Sequence, residues 1–258
     1  MTIGLALEGG GSRGAYHVGV MKACLESGRD ITGFTGTSIG AINAAVFAQG
    51  DYLLAADMWS HITTEKLFDA DACKILRFAE TKLDINQLSE AGHSLRRIID
   101  EHGIDTSMIR AAIDSCIDEN KLRASGNDYG LVTVSLSEKR PYELFLEDIK
   151  QGELLSYIAA SACVPGFQSV VIGKNSFVDG ALYNSCPINM LIKKGYQEII
   201  AVRTKAPGVF RRIKAPKGVK VRMVVPKHDM GSLLIFSPEK IEENIRLGYI
   251  DGLKALRR

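Results

Sequence analysis

The sequence predicts an α/β fold: a three-layer sandwich with a mainly parallel central sheet flanked by helices. Two observations carry this. Ile3–Leu7 is a short apolar run that enters a glycine loop and then the helical stretch Ala15–Glu26. Ile31–Phe34 is a second, which enters the turn Gly36-Thr37-Ser38-Ile39-Gly40 and then the helical stretch Ala41–Ala48. Two successive strand–loop–helix units with short loops predict parallel strands with helices outside them. Ligands in such sheets bind beyond the carboxyl ends of the strands, which is where both loops lie.

Composition bounds the rest. The chain has 258 residues, 46% hydrophobic and 24% charged, which suits one globular unit spanning residues 1–258. A net charge of +2 does not point to a nucleic-acid partner. Cys24, Cys73, Cys116, Cys163 and Cys186 are odd in number and contain no C-x-x-C pair, as expected of reduced thiols in a cytoplasmic protein. No signal peptide is expected, because Met1–Leu7 lacks a basic residue and Glu8 ends the apolar run. No apolar run is long enough to span a bilayer, so any membrane contact is expected to be peripheral. Oligomeric state is not legible.

The first loop, Gly9-Gly10-Gly11-Ser12-Arg13-Gly14, fits G-x-G-x-x-G. One reading is a nucleotide-binding module, but the acidic residue expected about 20 positions on, at the end of the next strand, is missing. The other reading uses the same backbone N–H groups to hold an oxyanion at a helix start, with Gly10 and Gly11 as the best donors and Ser12 as a third. Arg13 then either braces the loop or meets an anionic head group. The second strand ends at Ser38, between Gly36 and Gly40. This is the pattern of a nucleophile elbow: a strained turn that exposes the serine, with the Ile39 N–H aimed at developing negative charge. Gly36 and Gly40 are required because the elbow brings them together.

Residues 51–128 read as mostly helical: Asp51 caps a segment through Trp59, a second helix covers Ile85–Glu101, and a third runs from Asp105-Thr106-Ser107 to about Leu122. Met58, Trp59, Leu67, Phe68, Ile75, Leu76 and Phe78 are candidates for an acyl-chain pocket or lid, though core packing is the simpler expectation for most. His61, His93 and His102 lack metal-ligand spacing, and no metal or cofactor is called for. Strands return at Gly130–Leu136 and Tyr142–Leu146, followed by a helix over Gly152–Ala162 and a hairpin made of Ser169–Ile172 and Ser176–Val178. Asp179-Gly180-Ala181 follows directly and offers a carboxylate at the sheet edge that carries Ser38. A helix over Ile188–Lys194, strands at Glu198–Val202 and Val219–Val225, and a helix over Pro238–Leu256 complete the chain. Residues 203–222 form a basic loop with Val209-Phe210 in its middle. That suits either docking on an anionic lipid surface or plain solvation.

The glycine loop, the elbow and the Asp179-Gly180-Ala181 motif, in that order, resemble the patatin-like phospholipase family. Ala160–Gly166 is also similar to the family's segment ahead of the Asp-Gly motif, and Gly231–Glu239 to the tail of its small bacterial members. The resemblance covers nearly the whole chain. It implies a patatin-like fold, no cofactor, a lipid or acyl-ester substrate, and a Ser–Asp dyad with Ser38 as nucleophile and Asp179 as general base. It also implies an oxyanion hole from Gly10, Gly11, Ser12 and Ile39, supported by Gly9, Arg13, Gly14, Gly36, Gly40 and Gly180. A thioesterase, transacylase or soluble esterase would use the same dyad. His228 follows Asp179 in the order of a hydrolase triad and is the rival general base, whereas His17 reads as a packed helix residue.

Overall fold

The computed structural model describes residues 2–80 and 103–257. The helix expected over Ile85–Glu101, with His93 and His102, lies outside the described residues. Strand β1 (Ile3–Leu7) is buried along its length and pairs in parallel with both β2 (Ile31–Thr37) and β7 (Glu198–Val202). A strand buried on both faces needs an unbroken apolar sequence, and IGLAL supplies it. The sheet runs β5 (Val170–Ile172), β6 (Asn175–Asp179), β3 (Asp128–Ser135), β2, β1, β7, β8 (Lys220–Val224), with β4 (Arg140–Phe145) added on β3.

Alternation along the strands divides the interior into two layers. Leu5 and Leu7 of β1, with Ile200 and Val202 of β7, enter the larger core. It also holds helices α1 (Ala15–Glu26) and α2 (Ile39–Ala48) and residues of the C-terminal helix. Ala6, Ile199 and Ala201 face a smaller core with Ile188 and Leu191. The sheet is thus covered on both faces, as a parallel sheet requires.

The junction at β3 positions the chemistry. Residues Gly130–Val132 of β3 pair with both β4 and β2, and Thr133–Ser135 pair with both β4 and β6. A strand has two hydrogen-bonding edges, so β2 and β6 share one edge of β3, and they approach end to end. Parallel β2 stops at Thr37, opposite Val132, and antiparallel β6 stops at Asp179, opposite Thr133. The residues at the two strand ends therefore meet.

Between β2 and β3 lie α3 (Tyr52–His61), α4 (Thr64–Leu67), α5 (Ala70–Glu80), α6 (Ser107–Cys116) and α7 (Glu119–Ala124). The helix expected from residue 105 to about 122 is broken at Ile117 and Asp118, both extended. Buried Gln49 makes the break stable: its amide donates to the Cys116 carbonyl at 2.8 Å and accepts from the Asp118 N–H at 3.0 Å. The Asp118 carboxylate then caps α7 through the Lys121 N–H. Asp51 sits at the start of α3 but makes no side-chain cap; its carboxylate accepts from Gln49 instead. The remaining helices are α8 (Leu154–Ser161), α9 (Ile188–Lys194) and α10 (Pro238–Leu256).

Candidate active site

Ser38 follows β2 with φ 58° and ψ −130°, a left-handed conformation that costs a side-chain-bearing residue energy. A Cβ on Gly36 would lie 2.1 Å from the Gly40 carbonyl oxygen, so the close turn forbids a side chain there. The strained turn is tied down from a distance. The Ser38 N–H donates to the Ser161 hydroxyl at the end of α8, at 3.0 Å, and both residues are buried. Ser161 lay within the Ala160–Gly166 segment but drew no role from the sequence. Nothing local to Ser38 identifies it, because the contact spans 123 positions.

Asp179 ends β6 and is 1% exposed. Its Oδ1 accepts the Ala181 N–H at 2.7 Å, and its Oδ2 is buried without a hydrogen-bond partner. Burial pushes the carboxyl pKa up to about 6, against the smaller lowering effects of the Ala181 N–H and the Ser38 hydroxyl. Ser38 and Asp179 are thus close enough to interact, yet no bond of full hydrogen-bond geometry joins them. Gly180 opens the tight turn Gly180–Leu182 that carries this N–H donor.

The glycine loop lies against the elbow, with Gly9 beside the Ser38 Cβ and Gly14 beside the Ile39 side chain. Gly10 and Gly11 have φ 144° and 53°, which favour glycine. The space beside Gly11 is taken by the Leu233 carbonyl, 1.9 Å from where a Cβ would stand. The N–H groups of Gly10, Gly11 and Ile39 make no hydrogen bond within the described residues, and all three residues line one cavity with Ser38 and Asp179. The expectation for Ser12 is corrected. Its N–H donates to the Leu233 carbonyl at 2.8 Å and its hydroxyl to the Ser232 carbonyl at 2.6 Å, so it anchors the loop and has no N–H left for an oxyanion. Arg13 braces the loop. Its guanidinium donates to the carbonyls of Gly231 at 2.9 Å, Lys205 at 3.1 Å and Thr204 at 3.4 Å.

Glu8, fully buried beside the loop, also went unassigned in the sequence. Its carboxylate accepts from the Arg203 side chain at 2.7 Å and from the N–H groups of Thr204 and Lys205 at 2.6 and 3.0 Å. A buried charge persists only when paired in this way, and here it fixes the start of the 203–222 segment. The histidines stand apart. His17 is buried, its Nδ1 bonded to Asn43, and burial pushes its pKa down to about 3, so it is neutral. His228 is exposed and does not line the cavity.

The cavity has a volume of about 430 Å³, and among the described residues its wall is apolar apart from Ser38 and Asp179. Met58, Leu67 and Phe68 line it, whereas Ile75, Leu76 and Phe78 do not. Trp59 packs in the core and donates its indole N–H to Asn43. Ile109 and Ile113 of α6, with Leu233 and Leu234, complete a wall suited to a hydrocarbon chain.

Loss of the Ser161 hydroxyl tests the remote tie. Ser161→Ala leaves the buried Ser38 N–H without an acceptor, which costs about 1–3 kcal/mol. A nucleophile displaced by about 1 Å can lose about 10²-fold in rate. The expected result is a lower kcat for ester cleavage with KM little changed, read from steady-state kinetics.

Comparison with known proteins identifies the family. The family model for patatin-like phospholipase matches residues 5–192. A lysophospholipase NTE1 of Coccidioides immitis is 27% identical over 266 residues, covering 100% of this chain and 15% of that protein. An uncharacterized NTE family protein of Mycobacterium bovis is 27% identical over 231 residues, covering 86% of this chain and 35% of its own length. The chain thus spans about a third or less of these curated relatives. The crystal structure of VipD from Legionella pneumophila superposes with a TM-score of 0.50 at 12% identity, covering 99% of this chain and 66% of that one. That likeness concerns the fold alone. With the matched model covering well over half of its residues, this chain belongs to the patatin-like phospholipase family.

Proposed function

We propose that this chain is a serine acyl hydrolase that cleaves fatty-acyl esters of phospholipids with a Ser38–Asp179 dyad. The observation that carries the reading is the buried carboxylate of Asp179, with one oxygen unpartnered, in the same apolar cavity as the strained Ser38. A carboxylate with a pKa near 6 is a stronger base than an ordinary aspartate, though still ionised at neutral pH. Asp179 takes the Ser38 proton as Oγ bonds to the ester carbonyl carbon. The carbonyl oxygen becomes an oxyanion, held by the N–H groups of Gly10, Gly11 and Ile39. Collapse of this intermediate expels the alcohol, which leaves with the proton carried by Asp179. Water, deprotonated by Asp179, then attacks the acyl-serine, and Ser38 recovers its proton as the fatty acid departs.

The apolar wall accommodates the acyl chain, and the names of the NTE relatives point to lysophospholipids as the first substrates to try. The described residues include no helix long and apolar enough to cross a membrane, which supports peripheral access to lipid. The five cysteines are all unpaired, which supports a reducing, cytoplasmic setting. Turnover of lysophospholipids, diacyl phospholipids, short soluble esters and acyl-thioesters tests the proposal, with Ser38→Ala as control. Ester cleavage lost in the variant supports it. Thioester cleavage alone would favour a thioesterase, and turnover that survives in Ser38→Ala would reject the reading.

A further inference from the structure

Between Asp179 and Asp229 the chain carries a single acidic residue, Glu198, and its carboxylate is held by Arg222 at 2.6 Å and Arg29 at 3.3 Å. The structure separates the basic residues of this stretch into two groups. Lys193, Lys194, Arg203 and Arg222 have carboxylate partners. Lys205, Arg211, Arg212, Lys214, Lys217, Lys220 and Lys227 are exposed and have no ion pair within the described residues. Their charge is therefore available to an outside partner.

Backbone bonds hold the segment at the cavity mouth. The Val209 N–H donates to the Ala181 carbonyl at 2.8 Å, and the Ser185 N–H donates to the Val209 carbonyl at 2.7 Å. Asn189 of α9 holds the Arg212 carbonyl and the Lys214 N–H, each at 2.9 Å. Ala206, Pro207 and Gly208 line the cavity beside Leu182, only three residues beyond Asp179. The backbone is thus fixed while the side chains point outward. Leu182 is 51% exposed and Val209 43%, next to Arg211, whose guanidinium lies 4.4 Å from the Tyr183 ring centre. Phe210 takes a different role from the one its position suggested: one face of its ring is covered by Arg203 at 3.9 Å, the residue paired with Glu8.

From this arrangement we infer that the rim formed by Leu182, Val209, Arg211 and Arg212 is a docking surface for an anionic lipid bilayer, and that it sets the cavity mouth against the membrane. The inference rests on the acyl-hydrolase reading for its purpose, but its geometry does not depend on it. Exposed aliphatic side chains beside unpaired cations match the interfacial layer of a bilayer, where the cations meet lipid phosphates and the aliphatic groups leave water. A lipid in that layer could pass its acyl chain into the cavity without crossing bulk water. A general polyanion would use the cations alone and gain nothing from Leu182 or Val209.

The test uses the full chain carrying Ser38→Ala, so that vesicles stay intact, sedimented with phosphatidylcholine vesicles with and without phosphatidylglycerol. Binding is expected only with the anionic lipid and is expected to weaken as salt rises. In the same background R211Q/R212Q should bind about 30-fold more weakly, each cation near the surface contributing a similar share. V209S, which removes the aliphatic side chain without adding charge, should weaken vesicle binding but leave heparin binding unchanged. Equal binding to neutral and anionic vesicles, or undiminished binding of R211Q/R212Q, overturns the inference. Undiminished vesicle binding of V209S also overturns it, in favour of a polyanion site. Turnover of a soluble short-chain ester by R211Q/R212Q with Ser38 intact is read separately and should match that of the unaltered protein. A protein that docks but cleaves no ester defeats the hydrolase reading alone, and one that cleaves soluble ester but does not dock defeats the docking surface alone.

Discussion

Ser38→Ala is expected to remove ester cleavage almost entirely, by about 10⁴-fold or more in kcat, without unfolding the protein. Among the described residues no other hydroxyl lines the cavity with Asp179 and the N–H groups of Gly10, Gly11 and Ile39, so none of them is placed to take over as nucleophile. When members of such a unit are removed, most of the rate goes with the first. The fold should tolerate the change. Serine and alanine each carry a Cβ and bear similar strain at φ 58°, and the Ser38 N–H keeps its Ser161 acceptor. Thermal unfolding within a few degrees of the unaltered protein, together with lost turnover, is the combination to look for. Lost turnover with lost structure would say nothing about chemistry, which is why both are measured.

Asp179→Asn is expected to uncouple activity from stability. Turnover should fall by about 10³-fold or more, because the amide cannot take the Ser38 proton. Stability at neutral pH should rise. The Asp179 pKa is raised by burial to about 6 from an ordinary 3.8, so the folded state disfavours the charged form. Below about pH 3.8 the group is neutral whether folded or unfolded, and nothing is lost. As pH rises through 6 the unfolded chain ionises more readily, and the fold loses stability by about 3 kcal/mol, at 1.36 kcal/mol per pKa unit. Asparagine avoids that loss and still offers an oxygen to the Ala181 N–H. Urea unfolding should therefore show the variant to be more stable at pH 8, with the gain shrinking towards pH 4. In the unaltered enzyme the same ionisation should make kcat/KM climb through about pH 6 and level off above it.

Much of this arrangement was legible in the sequence because the local rules are strict. Gly36 and Gly40 mark an elbow since a Cβ on Gly36 would lie 2.1 Å from the Gly40 carbonyl oxygen, and β1 is visible because IGLAL is apolar at every position. What could not be read depends on pairing across long stretches of chain. Neither strand announces that β2 and β6 end opposite neighbouring residues of β3. Ser12 looked like an oxyanion donor because its acceptor, Leu233, comes from far along the chain. The basic segment looked uniform until Glu8 and Glu198 withdrew Arg203 and Arg222 from it. Gln49 splits a continuous helical pattern by satisfying two backbone groups at once. In each case the deciding partner is a single polar atom whose place is set by tertiary packing, which periodicity does not encode.

The claim at the centre is that Ser38 is a nucleophile activated by Asp179. Covalent labelling by a fluorophosphonate, followed by mass mapping of the modified peptide, tests it most directly. One adduct is expected, on Ser38, absent in Ser38→Ala and formed far more slowly in Asp179→Asn. An adduct on a different serine, or labelling of Asp179→Asn at the unaltered rate, would contradict it.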